Sequence, residues 1–84
     1  MQRCLIMCRS LTYAQRANYA LERAGITAPV SRAPQGLGAN GCGHCLTVDE
    51  RRLRAALAVL ARAGIPHGKL YRVEAGGSYT EVTA

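Results

Sequence analysis

The chain has 84 residues, of which 49% are hydrophobic, and it carries a formal charge of +6. This length allows one small domain that buries only about 60% of its unfolded surface, which leaves little room for a deep pocket. No apolar run approaches the roughly 18 residues that a membrane-spanning helix needs. The apolar run at the N-terminus stops at Arg9 with no cleavage site after it, so no secretory leader is indicated. The sequence therefore predicts a soluble, cytoplasmic protein that does not bind membranes.

The basic charge has a compositional explanation. Ten of the eleven basic residues are arginines scattered among many alanines. Aromatic residues do not alternate with them, as they do where bases stack on a protein surface. Nucleic acid is therefore not an expected partner.

The first predicted strand runs from Cys4 to Cys8 and leads into an amphipathic helix. Thr12 and Gln15 have the spacing of a capping box at the start of this helix, and Gly25 is suited to follow its end. The apolar face of the helix consists of Ala14, Ala17, Leu21 and Ala24, which are three or four positions apart, as in an amphipathic helix.

An internal repeat predicts a second unit of the same kind. Residues 21–26, Leu-Glu-Arg-Ala-Gly-Ile, recur thirty-nine positions later as residues 60–65, Leu-Ala-Arg-Ala-Gly-Ile. Each copy closes an apolar periodic segment with a glycine and a β-branched residue, which is typical of two similar structural units. Asp49 is the expected N-cap of the second helix. The buried stripe of that helix is Leu53, Ala56, Leu57 and Leu60.

Short β-type segments flank both helices, which gives the order βαββαβ. Besides the first strand they are Ala28 to Arg32, Gly43 to Val48, and Lys69 to Glu74. With right-handed crossovers this order predicts an α+β fold of the ferredoxin-like type, with a four-stranded antiparallel sheet and both helices on one face. A doubly wound parallel sheet is the alternative, but it usually needs a longer chain. Residues 1–75 are the expected domain, and residues 76–84 are either a flexible tail or a short added strand.

The stretch Asn40-Gly41-Cys42-Gly43-His44-Cys45 carries the clearest chemical signal. Its glycines allow a positive φ and leave room for another molecule to approach the sulfur of Cys42. A strand that begins at about Gly43 would hold the thiol on a rigid base. We interpret Cys42 as a reactive thiol, with Gly41, Gly43 and His44 as its immediate surroundings.

The predicted topology also places Cys4 beside this pair. If the first and third strands are parallel neighbours at the centre of the sheet, their beginnings meet at one end. Cys8 would then lie roughly 13 Å further along its strand and away from the paired thiols, as a core residue. Strand alternation offers a separate expectation, namely that Cys45 faces the side of the sheet away from the helices.

Two classes of chemistry compete for a Cys-x-x-Cys pair in a reducing compartment. Cys42 and Cys45 could form a reversible disulfide, although the pair precedes a strand and lacks the helix terminus that stabilises the thiolate in thioredoxin-like sites. Alternatively, Cys42, Cys45 and Cys4 could bind zinc with His44 or His67 as a fourth ligand. A single Cys-x-x-Cys is only a moderate metal signal, because structural zinc sites usually have two ligand pairs.

The order of elements and Cys42-Gly43 resemble a family of small bacterial selenium/sulfur carrier-like proteins. The match rests on Leu5-Ile6-Met7-Cys8-Arg9-Ser10, on the Ala24-Gly25-Ile26 turn, on Cys42-Gly43 at the third strand, and on the segment from Leu53 to Ile65. His44 and Cys45 depart from it, since small or apolar strand residues usually follow the cysteine there.

The resemblance implies a carrier and not a stand-alone enzyme. Cys42 would hold sulfur or selenium as a persulfide or selenosulfide, with Cys45 in a secondary role. A donor protein such as a cysteine desulfurase would load it, an acceptor would unload it, and no cofactor is needed. A homodimer is a further expectation. The alternatives are a Cys42/Cys45 redox or zinc-binding protein and an interaction module whose cysteines are incidental.

Overall fold

The computed structural model of the protein describes residues 2–34, 36–37 and 43–83. Two helices and five strands follow one another along the chain. They are β1 (Arg3–Met7), α1 (Leu11–Arg23), β2 (Val30–Arg32), β3 (His44–Asp49), α2 (Leu53–Ala63), β4 (Leu70–Val73) and β5 (Tyr79–Val82), with a 3-10 turn at Glu50–Arg52 before α2.

The five strands form one sheet in the order β2-β3-β1-β4-β5, and every neighbouring pair is antiparallel. The predicted α+β class, the two helices and the antiparallel sheet are confirmed. The sheet has five strands and not four, because residues 79–82 form a short added strand along β4, which was one of the two expectations for residues 76–84. The hairpin that adds it turns at Gly77, whose φ of 90° is the left-handed conformation that favours glycine.

Helix α1 begins two residues earlier than the predicted capping box. Ser10, in an extended conformation, caps it by accepting a hydrogen bond from the Tyr13 amide at 3.2 Å. Thr12 therefore lies inside the first turn, and the Thr12–Gln15 capping box is wrong. Gly25 follows the helix end with a φ of 80°, as predicted.

Helix α2 has the predicted signals at both ends. Asp49 Oδ1 accepts a hydrogen bond from the Arg51 amide at 2.9 Å and so caps the 3-10 turn that continues into the helix. Gly64 ends the helix in the left-handed conformation, with a φ of 70°. The two halves of the internal repeat thus end their helices in the same way.

The main core lies between the sheet and the two helices. Alternate residues of the central strands face this side, among them Ile6 and Leu46, both fully buried. Buried residues of both helices belong to the same cluster, so the helices cover one face of the sheet. On the other face, Leu5, Met7 and Cys45 form a smaller buried cluster.

An ion network ties β4 to the start of α2. Arg72 lies 3.2 Å from a carboxylate oxygen of Glu50 and 3.3 Å from one of Glu74. The pKa of Glu74 lies below its ordinary 4.5 because the Thr80 hydroxyl donates a hydrogen bond to it, with Arg72 adding to the effect. This arrangement links the hairpin of β4 and β5 to the helix layer.

The lowered pKa of Glu74 gives a pH dependence. Because the pKa is lower in the folded chain than in the unfolded chain, the stability from this site is present above about pH 4.5 and is lost as the pH falls further. We expect Thr80→Val to raise the pKa of Glu74 towards its ordinary value and to weaken this acid dependence. An NMR titration of Glu74 would measure the shift, with Thr83→Val as the control. An unchanged Glu74 pKa in Thr80→Val would contradict the assigned cause.

No helix in the described part of the chain is long and apolar enough to cross a membrane.

Candidate functional site

The start of β3 is held by backbone hydrogen bonds from both sides. The Gly43 carbonyl accepts a bond from the Ala33 amide at 2.6 Å, just past the end of β2. The His44 carbonyl accepts one from the Cys8 amide at 3.1 Å, just past the end of β1. Gly43 and His44 are therefore held in place at this end of the sheet.

Cys42, the main predicted site residue, lies outside the described residues, as does Gly41. Its neighbour Gly43 is described. A Cβ atom added at Gly43 would meet no described atom within 4 Å. Its φ is not positive, so this glycine does not use the left-handed conformation that its lack of a side chain allows.

Cys45 is buried on the face of the sheet away from the helices, as strand alternation predicts. Its side chain is 1% exposed and belongs to the cluster with Leu5 and Met7. Its Sγ lies 3.7 Å from the Ser31 Oγ and 4.0 Å from the Arg32 carbonyl oxygen. A second protein cannot reach this sulfur unless the surrounding structure opens.

Cys4 does not lie beside Cys45, and the sequence prediction that placed it there is wrong. The antiparallel register of β1 and β3 pairs Cys4 with Val48, whereas Cys45 pairs with Met7. The two cysteines are thus three positions apart, or roughly 10 Å along the strands. They also belong to clusters on opposite faces of the sheet.

The chemistry of Cys4 fits a core residue. Burial raises the pKa of its thiol, and the nearby charge of Glu50 raises it further. A raised thiol pKa disfavours the thiolate, which is the form that binds metals and attacks sulfur. Cys4 is therefore suited neither to metal binding nor to carrying sulfur.

Cys8 lies near the start of β3, whereas the predicted topology places it far from Cys42 and Cys45. Its amide donates to the His44 carbonyl, so its backbone adjoins the start of β3. Its side chain is 4% exposed, within the core between sheet and helices. The expectation of a core residue is confirmed, but the expected distance from the site is wrong.

The histidines do not complete a metal site in the described structure. His44 is half-buried at the first position of β3, opposite Arg32. His67 is exposed, and its Nδ1 lies 2.7 Å from the Gly68 carbonyl oxygen. Within residues 2–34, 36–37 and 43–83, no three histidine, cysteine or acidic side chains come together as a metal site would require. The zinc alternative thus loses Cys4 from its proposed ligands.

The residues that cover Cys45 are not evident from the sequence pattern. Ser31 pairs with it across β2 and β3, and Ala33 and Leu37 pack on its cluster. Ala33 and Leu37 therefore lie against the face of the sheet that the helices leave open. Strand alternation within Val30-Ser31-Arg32 predicts that Ser31 faces the opposite side of the sheet from its two neighbours. It does not predict that Ser31 pairs with Cys45.

Comparison with known proteins adds one match. Residues 3–72 match the model of a family described as "Putative Se/S carrier protein-like". No curated protein and no solved structure matches the chain.

Proposed function

Because the chain belongs to this Se/S carrier protein-like family, we propose that it is a small thiol carrier whose working residue is Cys42. It accepts sulfur or selenium from a donor protein such as a cysteine desulfurase, holds it covalently, and passes it to an acceptor. The chain relays the atom and does not act as a stand-alone enzyme.

The observation that carries the choice of residue is the burial of the three described cysteines. Cys4, Cys8 and Cys45 are 1%, 4% and 1% exposed. A carrier sulfur has to meet a nucleophile or an electrophile on another protein, which a buried thiol cannot do. Of the four cysteines in the chain, Cys42 is the one that this burial does not exclude.

The transfer needs only a thiolate and access. The Cys42 thiolate attacks the terminal sulfur of the donor's persulfide, a new S–S bond forms on Cys42, and the donor cysteine leaves as a thiolate. No electrons are gained or lost overall, so no cofactor is needed. Arg32, which is exposed and opposite His44 in the sheet, adds positive charge at this end and so favours the thiolate.

The fold suits such a role because it fixes the start of β3. We interpret the order β2-β3-β1-β4 as ferredoxin-like, with β5 added at the edge. In this arrangement β3 is a central strand, so its first residues are anchored between two neighbours. A rigid base of this kind supports a precise presentation of the adjoining residue.

Intact mass spectrometry tests the proposal. The protein is incubated with a cysteine desulfurase and cysteine as wild type, Cys42→Ala and Cys45→Ala. We expect wild type and Cys45→Ala to gain the mass of one sulfur atom and Cys42→Ala to gain nothing.

Two outcomes would contradict the carrier role. One is a mass gain that persists in Cys42→Ala, which would place the sulfur on another residue. The other is no gain in any variant together with a wild type that is lighter by two hydrogen atoms, which would indicate a Cys42–Cys45 disulfide and a redox function. Chemical loading with inorganic polysulfide controls for a desulfurase that does not recognise this chain.

A further inference from the structure

A groove runs between α1 and the end of α2. Its volume is about 440 Å³. The α1 side is formed by Thr12, Gln15, Arg16, Tyr19 and Ala20, and the opposite side by Ala63 and Ile65. The small side chains of the alanines leave its floor shallow and accessible.

Helix α1 exposes two large apolar side chains, and one of them, Tyr19, lines this groove. Tyr19 is 61% exposed and Leu11 is 44% exposed, and both lie on α1. With Gln15 between them, they follow one ridge of the helix at intervals of four residues. Arg23 fixes the ring of Tyr19, because its Nη1 donates to the Tyr19 hydroxyl at 3.1 Å and its guanidinium lies 5.6 Å from the ring centre. An exposed, pre-ordered tyrosine is typical of an interaction surface.

The helix layer also carries the net charge of the protein. Segments 9–23 and 51–62 contain seven arginines and one glutamate, whereas the other charged residues are four basic and four acidic. Those four acidic residues each make an ion pair in the described structure. Among the seven arginines, only Arg51 does so within the described residues. The outer face of the helices is therefore strongly positive and available for an acidic partner.

The groove lies at the same end of the molecule as the start of β3. The chain enters α1 directly after Cys8, whose amide binds the His44 carbonyl. The segment after α2 returns to the same place, because the Gly68 amide donates to the Met7 carbonyl at 2.7 Å. A protein held in this groove would therefore be near the start of β3.

From these observations we propose that the groove between α1 and the end of α2 is the docking site for an acidic, partly apolar segment of a partner protein. The inference rests on the proposed carrier function for its choice of a protein as the partner. A second copy of this chain is a poor occupant, because two helix layers of the same charge repel each other. A helix with glutamates beside leucines fits better, since leucines can fill the groove while the carboxylates meet Arg16 and its neighbours.

A peptide titration tests the site without using Cys42. The probe is a synthetic amphipathic peptide with glutamates on one face and leucines on the other, added to ¹⁵N-labelled Cys42→Ala protein. We expect NMR shift changes at Thr12, Arg16, Tyr19 and Ala63. Arg16→Glu or Tyr19→Ala should weaken binding about tenfold. Arg52→Glu is the matched control, because it makes the same charge change on an exposed arginine at the other end of α2.

Three results would overturn the proposal. They are the absence of shifts at the groove, equal weakening by Arg16→Glu and Arg52→Glu, and preferential binding of a duplex oligonucleotide across the whole arginine face. Because the titration uses Cys42→Ala, its result is separate from the test of the carrier role.

In a second experiment, Arg16→Glu should slow sulfur loading by a desulfurase but leave loading by inorganic polysulfide unchanged. Equal desulfurase loading of Arg16→Glu and wild type would likewise count against docking in the groove.

Discussion

Replacing Leu46 with alanine is expected to lower the free energy of unfolding by about 2–5 kcal/mol. Leu46 is fully buried in the central strand β3, where it pairs with Ile6 on one side and Val30 on the other. The truncation removes apolar contacts and leaves a cavity that a sheet paired on both sides cannot easily close. A domain of this length has a total stability of about 4–13 kcal/mol, so the loss would be a large part of it.

Urea denaturation of the wild type and of Leu46→Ala would measure the difference from the two midpoints and slopes. Leu11→Ala is the matched control, because it removes the same atoms from a leucine that is 44% exposed on α1. We expect the control to change stability by about 0.5 kcal/mol or less. Equal losses in the two variants would mean that the centre of the sheet is not the main core.

Local patterns were sufficient to predict the elements that this core depends on. The apolar period of α1 and α2 and the alternation of Leu46 and Val48 each reflect which side chains face the interior. Glycines at positions 25 and 64 ended the helices as predicted, because few other residues adopt a positive φ at low cost. The start of α1 was less well determined. Ser10 and Thr12 are both good caps, and only the structure shows that Ser10 occupies the position.

The wrong position of Cys4 was an error of inference and not a gap in the sequence. A crossover through α1 makes β1 and β2 parallel, and the connection from β2 to β3 reverses the chain. Strand β3 must therefore oppose β1, as the register of Cys4 with Val48 shows. The same reasoning would have placed Cys8 near the start of β3.

Other features of the site depend on information that is not local. The pairing of Ser31 with Cys45 requires the register of β2 and β3, which the long connection between them does not determine. The strand β5 had a recognisable signal, since Gly76-Gly77 separates two β-type segments. This signal is weak because Tyr79, Thr80 and Glu81 are exposed, so the strand has little apolar pattern.

The four cysteines are expected to differ by about a hundredfold or more in their rate of alkylation in the folded, reduced protein. Iodoacetamide should modify Cys42 first. Cys4, Cys8 and Cys45 are buried and should react only when the structure opens. Cys4 has a second reason to be slow, because burial and the charge of Glu50 raise its thiol pKa.

Peptide mapping at several time points would measure the four rates, and unfolding in denaturant should make them similar. Cys42→Ala is the informative control, since the fast phase should disappear and no other cysteine should replace it. The rate at Cys45 distinguishes the two functions that remain for the pair. If Cys45 reacts about as fast as Cys42, then its burial beside Ser31 does not persist in solution, and a Cys42–Cys45 disulfide becomes accessible. If it stays slow, any chemistry with a partner protein falls to Cys42 alone, which is what a single-thiol carrier requires.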